Sequence, residues 1–102
     1  MCKTNNFLAK RLDVSSRLIK DYSFIYSETK KELIKLNKVG SYIWEQINGS
    51  VTINNIIDNC KKKYSGTDEE ISESVLDFVN LLASEDLIDY SDNKFEGLMI
   101  SD

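Results

Sequence analysis

The sequence contains no histidine, which removes the commonest general base and the commonest metal ligand together. Its two cysteines, Cys2 and Cys60, form no Cys-x-x-Cys pair, and the few glycines build neither a phosphate-cradling loop nor a Gly-x-Ser-x-Gly elbow. Cys2 stands in a polar terminus and Cys60 on an apolar helical stripe, so no disulfide between them is expected. Apolar runs are only a few residues long and no secretory pattern opens the chain. Neither a membrane span nor export is therefore expected, and the cytoplasm is the expected compartment. Asp68, Glu69 and Glu70 cluster, but three acids at a helix start suit the macrodipole. No catalytic residue, metal site or cofactor is expected, and the reading is that the chain is not an enzyme.

What is present fits one soluble α+β domain. The 102 residues suffice to bury a core without staples. The net charge of −4 is unevenly spread. Residues 1–50 hold nine Lys/Arg against five Asp/Glu, giving +4, and residues 51–102 hold four against twelve, giving −8. Two solvated faces of opposite sign account for this. A mildly basic strand region that attracts an acidic partner is the sharper alternative.

The chain is organised around Leu36–Gly49. Asn37 is a good N-cap, Val39, Ile43 and Ile47 recur at helical spacing with Trp44 beside them, and Gly49 can close the helix. Before this hinge, Ser16–Lys20, Tyr22–Ser27 and Glu32–Leu36 read as three short strands of an antiparallel meander. After it, Thr52 caps a second helix with Ile53, Ile56, Ile57, Cys60 and Tyr64 on one face. Thr67 and Glu70 form the capping box of a third helix that runs to about Ser84. Leu87–Tyr90 reads as a short closing strand.

The third helix has an unusually wide apolar arc, roughly 220° on the helical wheel. Ile71, Val75, Phe78 and Leu82 form the centre, Leu81 one flank, and Leu76, Val79 and Ala83 the other. Packing on two sides within the domain explains such an arc, and so does a groove left for an apolar partner. Residues 1–15 read as a loose arm that can tuck Phe7 or Leu12 onto the core. Residues 91–102 read as a tail, with Phe95–Ile100 in or near such a groove.

Strand, strand, strand, then three helices and a short strand is a winged-helix-like arrangement. Leu36-Asn37, Gly40, Ile43-Trp44, Asn48-Gly49, Thr52, Ile56, Tyr64, Val75, Phe78, Val79, Leu82 and Leu87-Ile88 together resemble the signature of the PqqD-like proteins, or RiPP recognition elements, over residues 16–90. Two positions depart from it: Asn48 stands where Asp is common, and Asp86 where Gly is common. The resemblance implies a chain that binds the leader segment of a ribosomally made precursor peptide. It would present that peptide to a modifying enzyme, such as a radical-SAM enzyme, or to a leader peptidase. It also implies that the leader adds as a strand at Glu32, Leu33, Ile34, Lys35 and Leu36 and packs against the third helix, for which the expected contacts are Leu76, Val79 and Ala83. A monomer is the expected state. The alternatives are an adaptor of the same fold outside peptide maturation and, less favoured, a DNA-binding winged helix. Against DNA stands the absence of Lys or Arg between Lys63 and Lys94, which leaves the third helix acidic.

Overall fold

The computed structural model describes residues 2–95. Its elements are β1 (Phe7–Lys10), β2 (Val14–Ile19), β3 (Tyr22–Ser27), β4 (Glu32–Lys35), α1 (Lys38–Gln46), α2 (Ile53–Lys63), α3 (Asp68–Ser84) and β5 (Ile88–Ser91). Strands β2, β3 and β4 form an antiparallel meander in sequence order, followed by three helices. This is the winged-helix-like α+β architecture expected from the sequence.

Each helix begins where its sequence provides a cap. Asn37 Oδ1 accepts from Gly40 N at 2.7 Å, and reciprocal capping boxes join Thr52 to Asn55 and Thr67 to Glu70. Trp44 is fully buried beneath the inner face of the meander, and its Nε1 donates to Ser16 Oγ at 3.0 Å. The same inner face is tied to α1 twice more. Ser23 N donates to Ser41 Oγ at 2.7 Å, and Ser23 Oγ donates to Glu45 Oε2 at 2.9 Å. These bonds satisfy polar groups that would otherwise be buried unpaired against the sheet. The hinge helix therefore joins strands to helices through its indole. Truncating that side chain to alanine would cost about 3–5 kcal/mol.

Within residues 2–15 the chain forms a strand. Phe7–Lys10 is strand β1, which pairs antiparallel with β5 in a second, two-stranded sheet. Leu8 is fully buried, its N donates to Val51 O, and its O accepts from Gly49 N. Asn6 and Thr4 carbonyls accept from Ile53 N and Asn54 N at the start of α2. Leu12, the other residue expected to tuck in, is 92% exposed. The closing strand accordingly pairs with the N-terminus and not with the meander. Val14 and Ser15 also belong to β2, so that strand starts two residues before the expected Ser16.

Cys2 and Cys60 are both buried free thiols. The expected placement of the tail near a groove falls mostly on residues 96–102, outside the described residues. Phe95 is described, and its N donates to Gly49 O at 3.0 Å.

Candidate peptide-binding groove

Strand β4 lies at one edge of the meander, and among the described residues no strand pairs with its outer side. Its backbone orientation follows from its register with β3. Leu36 N donates to Ser23 O at 2.9 Å, just beyond the paired run Phe24↔Lys35, Ile25↔Ile34, Tyr26↔Leu33 and Ser27↔Glu32. Antiparallel pairs alternate between bonded and non-bonded, so Leu36, Ile34 and Glu32 direct their amides toward β3. Leu33 and Lys35 therefore direct theirs outward. The free edge offers two donors and two acceptors in the spacing that an extended chain requires.

Beside this edge runs a cavity of about 630 Å³ between the end of β4, the start of α1, the end of α2 and the first half of α3. Leu36, Val39, Gly40 and Ile43 supply its floor and one wall, Cys60 and Tyr64 a second wall, and Ile71, Ser74, Val75 and Phe78 a third. Lys35, Asn37 and Glu70 stand at its rim. The volume is large enough for several apolar side chains, and most of its lining is hydrocarbon. Phe78 reaches over Gly40 so closely that a β-carbon there would stand 3.1 Å from the ring's Cζ. At the other end, Lys30 Nζ donates to Glu85 O at 2.7 Å and pins the β3–β4 turn to the end of α3. Hairpin and helix are thus held together at one end and parted by the cavity at the other.

Burial pushes the Cys60 thiol and the Tyr64 phenol above their ordinary values. The wall they form is therefore uncharged at neutral pH and stays so further into the alkaline range than a free thiol or phenol would. The charges near the edge are of both signs, with Glu32 on the strand and Glu70 at the rim beside two lysines. Lys35 Nζ lies 4.5 Å from the Tyr22 ring centroid, and Lys38 Nζ stands 3.9 Å from Asp21 Oδ2. Among the described residues no group of His, Cys, Asp or Glu could hold a metal ion, and no helix is long and apolar enough to cross a membrane.

The strand residues expected at the site, Glu32 to Leu36, all lie on or directly after β4. Leu36 enters the cavity lining, and Ile34 packs inward against the core. The three helix residues expected at the site lie away from this cavity. Val79 is fully buried, with 0% of its surface exposed, and belongs to the core. Leu76 and Ala83 pack partly buried against that core, and neither lines the cavity. The residues of α3 that do line it are Ile71, Ser74, Val75 and Phe78, from what the sequence presents as the central stripe. Val79 turns inward, and of the central stripe Ile71, Val75 and Phe78 reach the cavity while Leu82 stays in the core. Gly40, Val39 and Tyr64 are further lining residues. Their sequence signal was present, as an apolar position or a glycine near a helix end, but nothing local marks them as facing a cleft.

Residues 23–88, well over half of the chain, match the family model described as coenzyme PQQ synthesis protein D (PqqD). The chain belongs to the PqqD family. No curated protein matches it by sequence. Two solved structures share its fold. TbiB1 in complex with the TbiA(beta) leader peptide superimposes with a TM-score of 0.75 at 23% identity, covering 79% of this chain and 94% of that one. Lasso peptide synthetase B1 complexed with the leader peptide gives 0.72 at 11% identity, covering 79% and 95%. The PqqD segment runs from β3 to the start of β5 and so contains β4, α1, α2 and α3.

Proposed function

We propose that this PqqD-family chain binds the leader segment of a ribosomally made precursor peptide as an added strand on β4 and hands it to a processing enzyme. The observation that carries the reading is the open β4 edge, with the Leu33 and Lys35 amides facing outward, directly beside an apolar cavity walled by α3. Backbone hydrogen bonds would supply affinity along the edge, and alternate side chains of the guest would enter the cavity, which supplies selectivity. Membership of the PqqD family supports this, as does a fold shared with two proteins described in complex with leader peptides. On this reading the chain performs no bond chemistry itself. An exposed strand edge is an aggregation hazard, and a protein retains one where a partner uses it.

The test is titration of a fluorescently labelled leader peptide, taken from a short precursor encoded beside this chain, against the purified protein. Saturable one-to-one binding is the expected result. Absence of binding to every such precursor would leave the adaptor role as the better account.

A further inference from the structure

The outer face of the meander, turned away from α1, is built from Ser15, Arg17 and Ile19 of β2, Tyr22, Phe24 and Tyr26 of β3, and Leu33 and Lys35 of β4. Three aromatic rings lie in a row along β3, flanked by Ile19 at 47% and Leu33 at 68% exposure. Lys35 Nζ lies across the row, 4.5 Å from the Tyr22 ring centroid and 5.8 Å from that of Phe24. The strand residues of this face include two cations and no carboxylate, although the chain as a whole carries −4. An apolar platform with same-sign charges is unlike an ordinary solvated strand face, where polar residues of both signs alternate with the core.

We propose that this face docks the protein that acts on the bound peptide, through a partner surface that is apolar at its centre and rimmed with carboxylates. Charge complementarity names the rim: Arg17 and Lys35 would each find an opposite charge, and no acid on the face repels it. Aromatic rings beside an arginine are the residue types that dominate binding energy at protein interfaces. Continuity names the partner. A strand added to β4 becomes the fourth strand of this sheet, and every second side chain of the guest stands flush with Leu33 and Lys35 on the outer face. A partner seated there would touch chain and peptide together and would bind the loaded form more tightly than the empty one. This rests on the proposed peptide-binding reading for its partner, though not for the existence of the face.

The test uses the peptide-processing enzyme encoded beside the chain, purified, in biolayer interferometry against the immobilised chain with and without saturating leader peptide. Arg17→Glu and Tyr26→Ser lie outside the groove, so both should bind leader as the parent does. Each should bind the enzyme about tenfold or more weakly, in line with loss of an interface anchor. Parental affinity of both variants for the enzyme, or no enzyme binding by the parent chain, overturns the proposal. Loss of leader binding in the same variants also overturns it, because the face would then not be separate from the groove. Enzyme binding that Arg17→Glu weakens, in a chain that binds no leader, upholds the docking face and rejects the peptide reading alone. Sedimentation that shows a dimer dispersed by Tyr26→Ser would assign the face to a second copy. Binding of a single-stranded RNA oligonucleotide lost in Arg17→Glu would assign it to nucleic acid. Either result overturns the proposal.

Discussion

Phe78 rests on Gly40: a β-carbon at that glycine would stand 3.1 Å from Cζ and 3.3 Å from Cε1 of the ring. Helix α3 thus reaches α1 at the mouth of the cavity through a contact that only glycine permits without adjustment. Gly40→Ala gains helix propensity of about 1 kcal/mol but forces the ring to move by a few tenths of an ångström. The two effects oppose each other, and the melting temperature should shift by only a few degrees. Leader affinity should fall, because the displaced ring narrows the groove. Calorimetric melting and leader titration on the same sample separate the two. Unaltered affinity would show that the guest does not pass Phe78.

The neighbouring residues on α3 should behave in opposite ways. Val79→Asp places an unpaired carboxylate at a site with no solvent exposure, which should cost several kcal/mol and leave little folded protein. Phe78→Ser removes a ring that is only partly buried and lines the cavity. It should leave a cooperative thermal transition and weaken leader binding at least about tenfold, the loss of one anchoring aromatic. A folded Val79→Asp variant seen by circular dichroism would contradict the docking of α3 described above.

Proline at the two central positions of β4 discriminates between the edges of the strand. At Leu33 it removes an outward amide, so the β3–β4 ladder survives and only a bond to the guest is lost. That should cost about 1 kcal/mol of leader binding, or roughly fivefold. At Ile34 it removes an amide directed at β3 and should lower stability instead. If Leu33→Pro binds leader normally while remaining folded, strand addition at this edge is wrong.

The legible parts of this fold are those with local causes. Asn37, Thr52 and Thr67 announce the helix starts because a cap involves only the next three residues, and all three accept from the expected amides. Strand β3 matches its alternation from Tyr22 to Ser27 because Ile25 faces inward while three aromatics face out. Strand β1 was not legible. Its four residues gain their structure from β5, at the far end of the chain, and no local signal encodes that pairing. Similarly, Phe78 and Val79 are separated by about 100° on the wheel, and both lie in a continuous apolar arc. Which of them meets the core depends on how α3 docks beside β4, with Lys30 holding its C-terminal end. The edge strand was therefore legible from sequence, and which residues of α3 border the cavity was not.

Asp86 sits immediately before the closing segment with φ of 61°, in the left-handed region. The resemblance to PqqD-like proteins places a glycine there, and the backbone explains why, since glycine adopts that conformation without crowding its β-carbon. The Asp86 N–H donates to Ala83 O as the chain leaves α3, so the conformation is part of the helix exit. Asp86→Gly should raise stability by about 0.5–1 kcal/mol, the relief of one left-handed non-glycine residue less the entropy that glycine adds to the unfolded chain. Urea denaturation at constant slope is the measurement. A loss of stability would mean that the Asp86 side chain contributes more than its backbone strain removes.

Stability should also depend on pH on the alkaline side, through the thiols of Cys2 and Cys60. Burial raises both above the ordinary value of 9.0. The unfolded chain therefore loses these protons first, at a pH where the folded protein still holds them. Because the folded state binds more protons in that range, stability is complete below pH 9.0, the ordinary value, and falls as pH rises toward the folded values. Tyr64 acts in the same direction, since burial raises its phenol above 10.0. Cys60→Ser and Cys60→Ala separate the thiol's titration from its packing. Cys60→Ala should flatten the decline in urea midpoint between about pH 8.5 and 10.5, because one group that ionises in the unfolded chain is gone. Cys60→Ser should flatten it as well, at a lower overall midpoint, since a hydroxyl replaces an apolar sulfur at a buried position of the core. A decline in both variants as steep as in the parent would assign the alkaline loss to groups other than this thiol.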